Sequence, residues 1–401
     1  MAPPFRPGGL DPRVYEHLGE VPADLLGERL FGSVELVERY AREWALELAR
    51  DLELQAAFRE SGDGGADAET LSARLGLDPA LRDPLLWLLE ELAGQGELHA
   101  AGTPGAPGGR RFRPTDTLRE PQRAAVRDAA LTHDPSNAPF LELLDLAGEA
   151  WPRVVRGEVS GQAALLASAH VSLWARFFSN ENPVYALNNR LAALAAVHRL
   201  PEDRKARVLE VGAGAGSASF AFLEALEARG ELGRIGLYRV TEPAALLRRR
   251  AQRELARRWP EVPVDAGALD IDLPWADQGA EPGSLDLVFG VNVLHVARDL
   301  QAALHRAHTA LAPGGRLVAG ECLRPRPGQA LAVEMIFLLL EDFRNVVTDP
   351  KLRPNPGFLT PELWVAQLEA AGFREVELVP DVRILRTLYP RFTTGTLCAR
   401  A

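Results

Sequence analysis

From residue 204 to the C-terminus, short apolar runs alternate with helical stretches, and this alternation constrains the fold more than any other feature of the chain. The runs are "RVLEV", "GLYRVTE", "VDAGALDI", "LDLVFGV", "GRLVAGE", "EVELVP" and a last one near "TTGTLCAR". Helical patterns lie between them at 244–258 and 299–311. Another opens on Thr360-Pro361-Glu362, an N-cap followed by proline, and stops at Gly372. The apolar "GQALAVEMIFLLLEDF" after the fifth run also reads as helical. Strands that alternate with helices build a mostly parallel sheet covered on both faces. Five strand–helix units and a terminal antiparallel pair predict an α/β fold with a seven-stranded, doubly wound open sheet. Such a sheet binds ligands beyond the carboxyl ends of its strands, where the strand order reverses.

The first half reads differently. An amphipathic helix is expected from 33 to about 60, ended by "SGDGGAD". A short helix, a Gly-Leu-Asp-Pro turn and a second helix from 79 to 92 follow, with Gly94 as the stop signal. The Gly/Pro-rich "AGTPGAPGGRRFRPTD" then suggests a glycine-tipped hairpin, and the whole order is that of a winged helix. The second helix would be the one to enter a DNA groove. It carries Asp83, Glu90 and Glu91 against Arg82, beside the apolar run Leu85–Leu89, where base recognition wants Arg, Lys, Asn or Gln. A packing or dimerisation module fits it better. Residues 120–200 read as helical, broken at Pro152 and at "SNENP".

Charge and composition remove several classes of function. The net charge of −10 argues against a nucleic-acid partner. No apolar run is long enough to cross a membrane, and "MAPPFRPGGLDPR" lacks the apolar core of a signal peptide and reads as a loose tail. Cys322 and Cys398 stand far apart, with neither a disulfide framework nor metal spacing, which suits a reducing cytoplasm. The two lysines, Lys205 and Lys351, lack the apolar strand-end setting that Schiff-base chemistry needs.

The turn after the first strand, "RVLEVGAGAGSASF", narrows the ligand. In the dinucleotide pattern G-x-G-x-x-G, the third glycine falls on Ser217 or Ser219 in the two possible frames, and a phosphate-binding Gly-Lys-Ser is absent. What stands here is Glu210 followed by Gly212, Gly214 and Gly216. A carboxylate beneath the loop repels a pyrophosphate but attracts an ammonium or sulfonium, while backbone N–H groups at a helix start receive a carboxylate. A nucleoside carrying an amino acid satisfies both, and S-adenosylmethionine is such a ligand. Glu242 ends the second strand, where ribose hydroxyls are met. Asp270 ends the third, in reach of an adenine amino group. Ile271 and Asn292, at the third and fourth strand ends, complete the candidate cofactor contacts. No metal site is expected.

With "VLEVGAGAGS", "YRVTEP", "ALDID", "GSLDLVFGVNVLHVARDL" and "ALAPGGRLVAGECLRP" in this order, the second half resembles a class I S-adenosylmethionine-dependent methyltransferase with a Rossmann-like sheet. "NVLH" with "PGGRLVAGE" is similar to polyketide-type C-methyltransferase domains, with Glu242-Pro243 where Asp-Ile is more usual. The N-terminal region resembles the dimerisation domain of small-molecule O-methyltransferases, which implies a homodimer.

His295 follows the fourth strand and Glu321 ends the fifth, so neighbouring strand ends can bring them together. The resemblance implies the same His/Glu pair, with His295 as general base and Glu321 fixing its tautomer. Tyr185 and Asn188 precede this domain where related enzymes place helices over the cofactor. The expected organisation is a winged-helix-like domain over 1–118, a helical linker or lid over 119–200, and a cofactor-binding domain over 201–401. The expected activity is methyl transfer to an oxygen or carbon of a small, secondary-metabolite acceptor. Two alternatives stay open: a non-methylating rearrangement that uses the same cofactor, and a ligand-sensing DNA regulator.

Overall fold

The computed structural model describes residues 21, 23–60, 65–102 and 109–401, and they fall into two units. One comprises Gly27–Phe177 and Arg326–Gly357, the other residues 21 and 23–26 together with Phe178–Pro325 and Phe358–Ala401. These bounds differ from the expected 118 and 200. Residues 119–177 belong to the first unit, 178–200 to the second, and 326–357 return to the first. The N-terminal segment read as a loose tail lies outside the described residues.

The first unit is helical. Its long amphipathic helix α1 (Glu28–Asp51) buries Tyr40, Trp44 and Leu48. The expected single helix to residue 60 is instead broken before α2 (Leu54–Arg59), at Glu53 with φ 54°. Leu52 and Leu54 are both buried. Two residues apart they would face different ways on a straight helix, and the left-handed residue between them turns both inward. After α3 (Ala68–Arg74), α4 (Arg82–Gln95) passes Gly94 and stops at Gly96, whose φ of 85° supplies the left-handed cap. Strands β1 (Leu98–Ala101) and β2 (Arg111–Pro114) pair antiparallel; the tip between them, 103–108, lies outside the described residues. Helices α5 (Arg123–His133), α6 (Ala138–Val155), α7 (Gly161–Leu165) and α8 (Val171–Phe177) follow.

Pro152 does not break α6 as the sequence suggests; it lies inside it. Its ring faces the carbonyl four residues back, and that residue is Gly148, which has no side chain to restrict its adjustment. Gly148 is also required by packing, since a Cβ there would sit 2.5 Å from the Trp44 ring.

The strongly apolar segment 328–343 was expected as one helix. It forms two short helical turns, Glu334–Phe337 and Glu341–Arg344, separated by an extended Leu340 (φ −86°, ψ 132°), and side chains of the first unit take up backbone groups just before the first of them. The Trp87 indole N–H donates to the Leu331 carbonyl (2.9 Å), and the Ala332 N–H donates to Glu38 (3.2 Å).

The second unit opens with α9 (Pro183–His198) and then alternates: β3 (Ala206–Val211), α10 (Ser217–Ala228), β4 (Ile235–Thr241), α11 (Ala245–Arg258), β5 (Val264–Gly267), β6 (Leu285–Val291), α12 (Leu300–Ala310), β7 (Leu311–Cys322). Helix α13 (Pro361–Ala370), β8 (Arg374–Val379), α14 (Val382–Leu388) and β9 (Thr394–Arg400) complete it. The seven strands stand in the order β5-β4-β3-β6-β7-β9-β8. The first five pair in parallel, and β9 runs antiparallel between β7 and β8. This is the Rossmann-like, doubly wound sheet expected. Its order reverses between β3 and β6, which are bonded directly with Val211 opposite Gly290. Among the described residues, no helix is long and apolar enough to cross a membrane.

Candidate active site

The turn after β3 is shaped by its glycines. Gly212 has φ 63°, and a Cβ on it would lie 2.3 Å from Cγ2 of Val293. Only glycine fits there, since the backbone is left-handed and the neighbouring turn presses on it. Gly214, with φ 56°, differs: a Cβ would meet nothing within 4 Å. The centre of the loop is therefore open above its backbone while its two ends are packed.

Beneath the loop lies Glu210, 1% exposed. Its Oε2 accepts from the Ser219 hydroxyl (2.6 Å) and from the Tyr238 hydroxyl. Its Oε1 is buried without a hydrogen-bond partner. Burial pushes this carboxyl up to about 7; the two hydroxyls oppose the shift and nearby Glu242 adds to it. Burial and the Glu210 charge also raise the phenols of Tyr238 and Tyr185. An orphaned carboxylate oxygen beside an open glycine backbone fits a ligand that brings positive charge, and a pyrophosphate would meet repulsion.

Glu242 follows β4 and is buried. It accepts the Gly214 N–H on Oε2 (3.0 Å) and the Ala244 N–H on Oε1 (2.9 Å). It thus ties the glycine loop to the start of α11, and each oxygen keeps a lone pair for a further donor. Asp270 and Ile271 were expected at the end of a strand running to 271. The strand stops at Gly267, and the two residues lie in a turn beyond it, Asp270 exposed and Ile271 half-buried. The Gln278 side chain holds this turn, accepting the Asp270 N–H (2.7 Å) and donating to the Asp270 carbonyl (2.9 Å). Gln278 and Gly279 in turn offer their carbonyls to Arg239 of β4.

Asn292 leaves β6 with φ 52°, a left-handed conformation that asparagine tolerates better than most residues. Its N–H donates to the Gly320 carbonyl (2.8 Å), and its side-chain oxygen accepts from Nδ2 of Asn188 on α9 (2.8 Å).

His295 and Glu321 do meet. Nδ1 of His295 lies 2.6 Å from Oε2 of Glu321, and Oε1 of Glu321 accepts the Leu294 N–H (2.9 Å). The imidazole is 6% exposed and the carboxylate 0%. The Phe358 ring lies across the imidazole at a centroid distance of 4.7 Å. A carboxylate in this position accepts from Nδ1–H, which leaves the lone pair of the neutral ring on Nε2. Sequence reasoning missed Ser219, Tyr238, Gln278, Arg239 and Phe358. The phenol of Tyr238 comes from a strand whose register only pairing reveals, Val208 standing opposite it. Phe358 reaches the site from beyond a 32-residue excursion through the other unit. Among the described residues, no group of three or more His, Cys, Asp or Glu side chains converges as a metal site would require.

A doubly wound sheet closed by an antiparallel β9, with a glycine turn after its first strand and acids beyond successive strands, is the class I methyltransferase fold. Residues 209–317 match the family model described as a methyltransferase domain. The chain is 32% identical over 243 residues to the highly reducing polyketide synthase valA of Aspergillus terreus, which is 59% of this chain and 9% of that protein. It thus spans under a tenth of the length of that relative. Among solved structures, it is similar to the CurJ carbon methyltransferase, with a TM-score of 0.69 and 24% identity, over 97% of this chain and 96% of the other. The citrinin polyketide synthase CMeT domain matches with a TM-score of 0.70 and 18% identity, over 98% and 99%. These structural likenesses establish a shared fold along the whole chain.

Proposed function

We propose that this protein transfers a methyl group from S-adenosylmethionine to an acidic carbon of a small, polyketide-like acceptor, with His295 as general base. The observation that carries the reading is the buried His295–Glu321 pair, 2.6 Å apart, with Glu321 near the end of β7 and His295 in the short turn that follows the neighbouring β6. Fold likeness to carbon methyltransferases over nearly the full chain favours carbon over oxygen.

The loop 212–216 would receive the amino-acid end of the cofactor, with Glu210 below offsetting its positive charge. Glu242 would take the ribose hydroxyls, Asp270 and Ile271 the adenine, and Asn292 would stand between cofactor and base. When bound, this cofactor supplies a methyl group already activated on a sulfonium. His295 takes the acceptor's proton on Nε2, leaving an electron pair on the carbon that will carry the methyl group. Glu321 keeps Nδ1 protonated and, being anionic and buried, stabilises the imidazolium that forms. The Phe358 ring and the low exposure of both residues keep water from competing for the base.

The test uses a β-ketoacyl thioester as acceptor in deuterated water. Exchange of its α-hydrogen in the presence of the protein, lost in His295→Ala, and a methyl group at that carbon once the cofactor is added, are the expected results. A methyl group found on oxygen, or α-exchange unchanged by the substitution, would overturn the assignment.

A further inference from the structure

The turn bearing Asp270 and Ile271 is bonded to the segment bearing His295 through one side chain, Asp272. Its carboxylate accepts the Arg298 N–H on both oxygens, at 2.9 and 3.2 Å, and lies 3.4 Å from the Asp299 nitrogen. Those two N–H groups precede and begin α12, where no helical carbonyl can receive them. Asp299 caps only within its own helix, accepting from Ala302 (3.0 Å). The acceptor for the entry to α12 therefore comes from a turn 26 residues earlier in the chain.

The other side of Asp272 faces the candidate cofactor contacts. Its own N–H donates to Oδ1 of Asp270 (2.9 Å), so the orientation of the Asp270 carboxylate depends on the turn that Asp272 closes. A second tie runs in parallel, as the Ile271 carbonyl accepts from Arg306 of α12 (3.3 Å). The turn is fixed at its base by Gln278 and Arg239. A shift at Asp270 or Ile271 is thereby directed toward residues 295–299 rather than lost in a loose loop.

We infer that Asp272 is a positioning residue that couples occupancy of the adenosine end of the site to the placement of His295. The inference rests on the cofactor assignment above. A ligand that orders the 270–272 turn would, through the Arg298 N–H, order the short helical turn Leu294–Val296 that presents the imidazole. The coupling is reciprocal, so loosening residues 295–299 must weaken the same ligand.

S-adenosylhomocysteine serves as the probe, with the full chain as wild type, Asp272→Ala, Asp272→Asn and Arg298→Pro. Arg298→Pro removes the donor rather than the acceptor. Its preceding residue, Ala297, already has φ −55° and ψ 132°, as a residue before proline requires. Calorimetry gives affinity, and amide exchange is followed over residues 293–303 and over 209–220.

In the wild type the ligand should slow exchange in both stretches. In Asp272→Ala and Arg298→Pro, affinity should fall about five- to tenfold. At saturation, 209–220 should still be protected and 293–303 should not. Asp272→Asn, whose amide oxygen still accepts one N–H, should keep most of the protection, which also guards against a variant that fails to fold. Equal protection of 293–303 in all four proteins would overturn the coupling and leave the cofactor assignment standing. A wild type that takes up no ligand would overturn both.

Discussion

Both oxygens of Glu321 are engaged, one by the Leu294 N–H and the other by Nδ1 of His295. Glu321→Gln keeps shape and volume but offers one acceptor and one donor. The Leu294 N–H has no choice of role, so the amide oxygen turns to it and the amide NH₂ faces Nδ1. Nδ1 must then accept, the ring proton moves to Nε2, and the base proposed above is disarmed. We expect turnover to fall about 10³- to 10⁴-fold, as when a carboxylate that fixes a catalytic imidazole becomes an amide. The ring ¹⁵N shifts of His295 should report the tautomer change without any acceptor present. The glycines offer a second residue-scale contrast. Gly212→Ala places a Cβ 2.3 Å from Val293 at φ 63°. It should lower the melting temperature by several degrees, through left-handed strain of about 1–2 kcal/mol and overpacking of about 1–3 kcal/mol. Gly214→Ala meets only open space. It should melt closer to the wild type yet lose affinity for S-adenosylhomocysteine; equal affinity would show that the open centre of the loop holds nothing.

Elements were more legible than their ends. Period and punctuation marked all seven strands of the sheet; the central parallel strands β3 and β6, buried almost throughout, read as near-continuous apolar runs. The third strand was drawn too long: "ALDI" is apolar enough to pass for strand, but Gln278, eight residues on, holds the backbone at Asp270 that a neighbouring strand would otherwise use. The segment 328–343 misled for a related reason. Its backbone groups are claimed by Trp87 and Glu38 from distant elements, and no local pattern records that. Glu38 also carries a consequence for pH. Buried, near Glu91 and accepting the Ala332 N–H, its carboxyl is pushed up from 4.5 to about 8, chiefly by burial. Glu91 is pushed up to about 7 by the same cause. The folded chain thus binds these protons more tightly than the unfolded chain. Their contribution is fully present below about pH 4.5 and is lost as pH rises through 7 and 8. Glu38→Gln accepts the same N–H without a charge to bury. Its melting temperature should match the wild type near pH 5 and exceed it by several degrees at pH 8. Parallel melting curves for the two proteins across that range would refute this account of the burial.

At the scale of the molecule, chain order and compact units part company. A piece cut from 201 to 401 would lose α9, whose Ala192 packs so close to β7 that a Cβ on Gly320 would lie 2.9 Å from the Ala192 Cβ. It would also carry 326–357 without Glu38, Trp87 or Trp174, the last of which packs its ring near Phe337 at a centroid distance of 5.9 Å. The excursion leaves and returns at one place. The Arg324 N–H donates to the Leu359 carbonyl (2.9 Å), and its guanidinium donates to the Phe358 carbonyl (3.0 Å). A linker of about four residues, within the usual range for a tight connection, can therefore join 325 to 358. A chain of 178–325 joined in this way to 358–401 keeps α9, every strand of the sheet, the glycine loop, His295, Glu321 and Phe358. We expect it to be monodisperse, to unfold cooperatively and to bind S-adenosylhomocysteine, while 201–401 aggregates on size exclusion. If the joined chain unfolded without cooperativity while 201–401 stayed monodisperse, the return of 326–357 to the first unit would not be what sets the boundary. The core of the second unit would then depend on that segment in a way its own hydrogen bonds do not reveal.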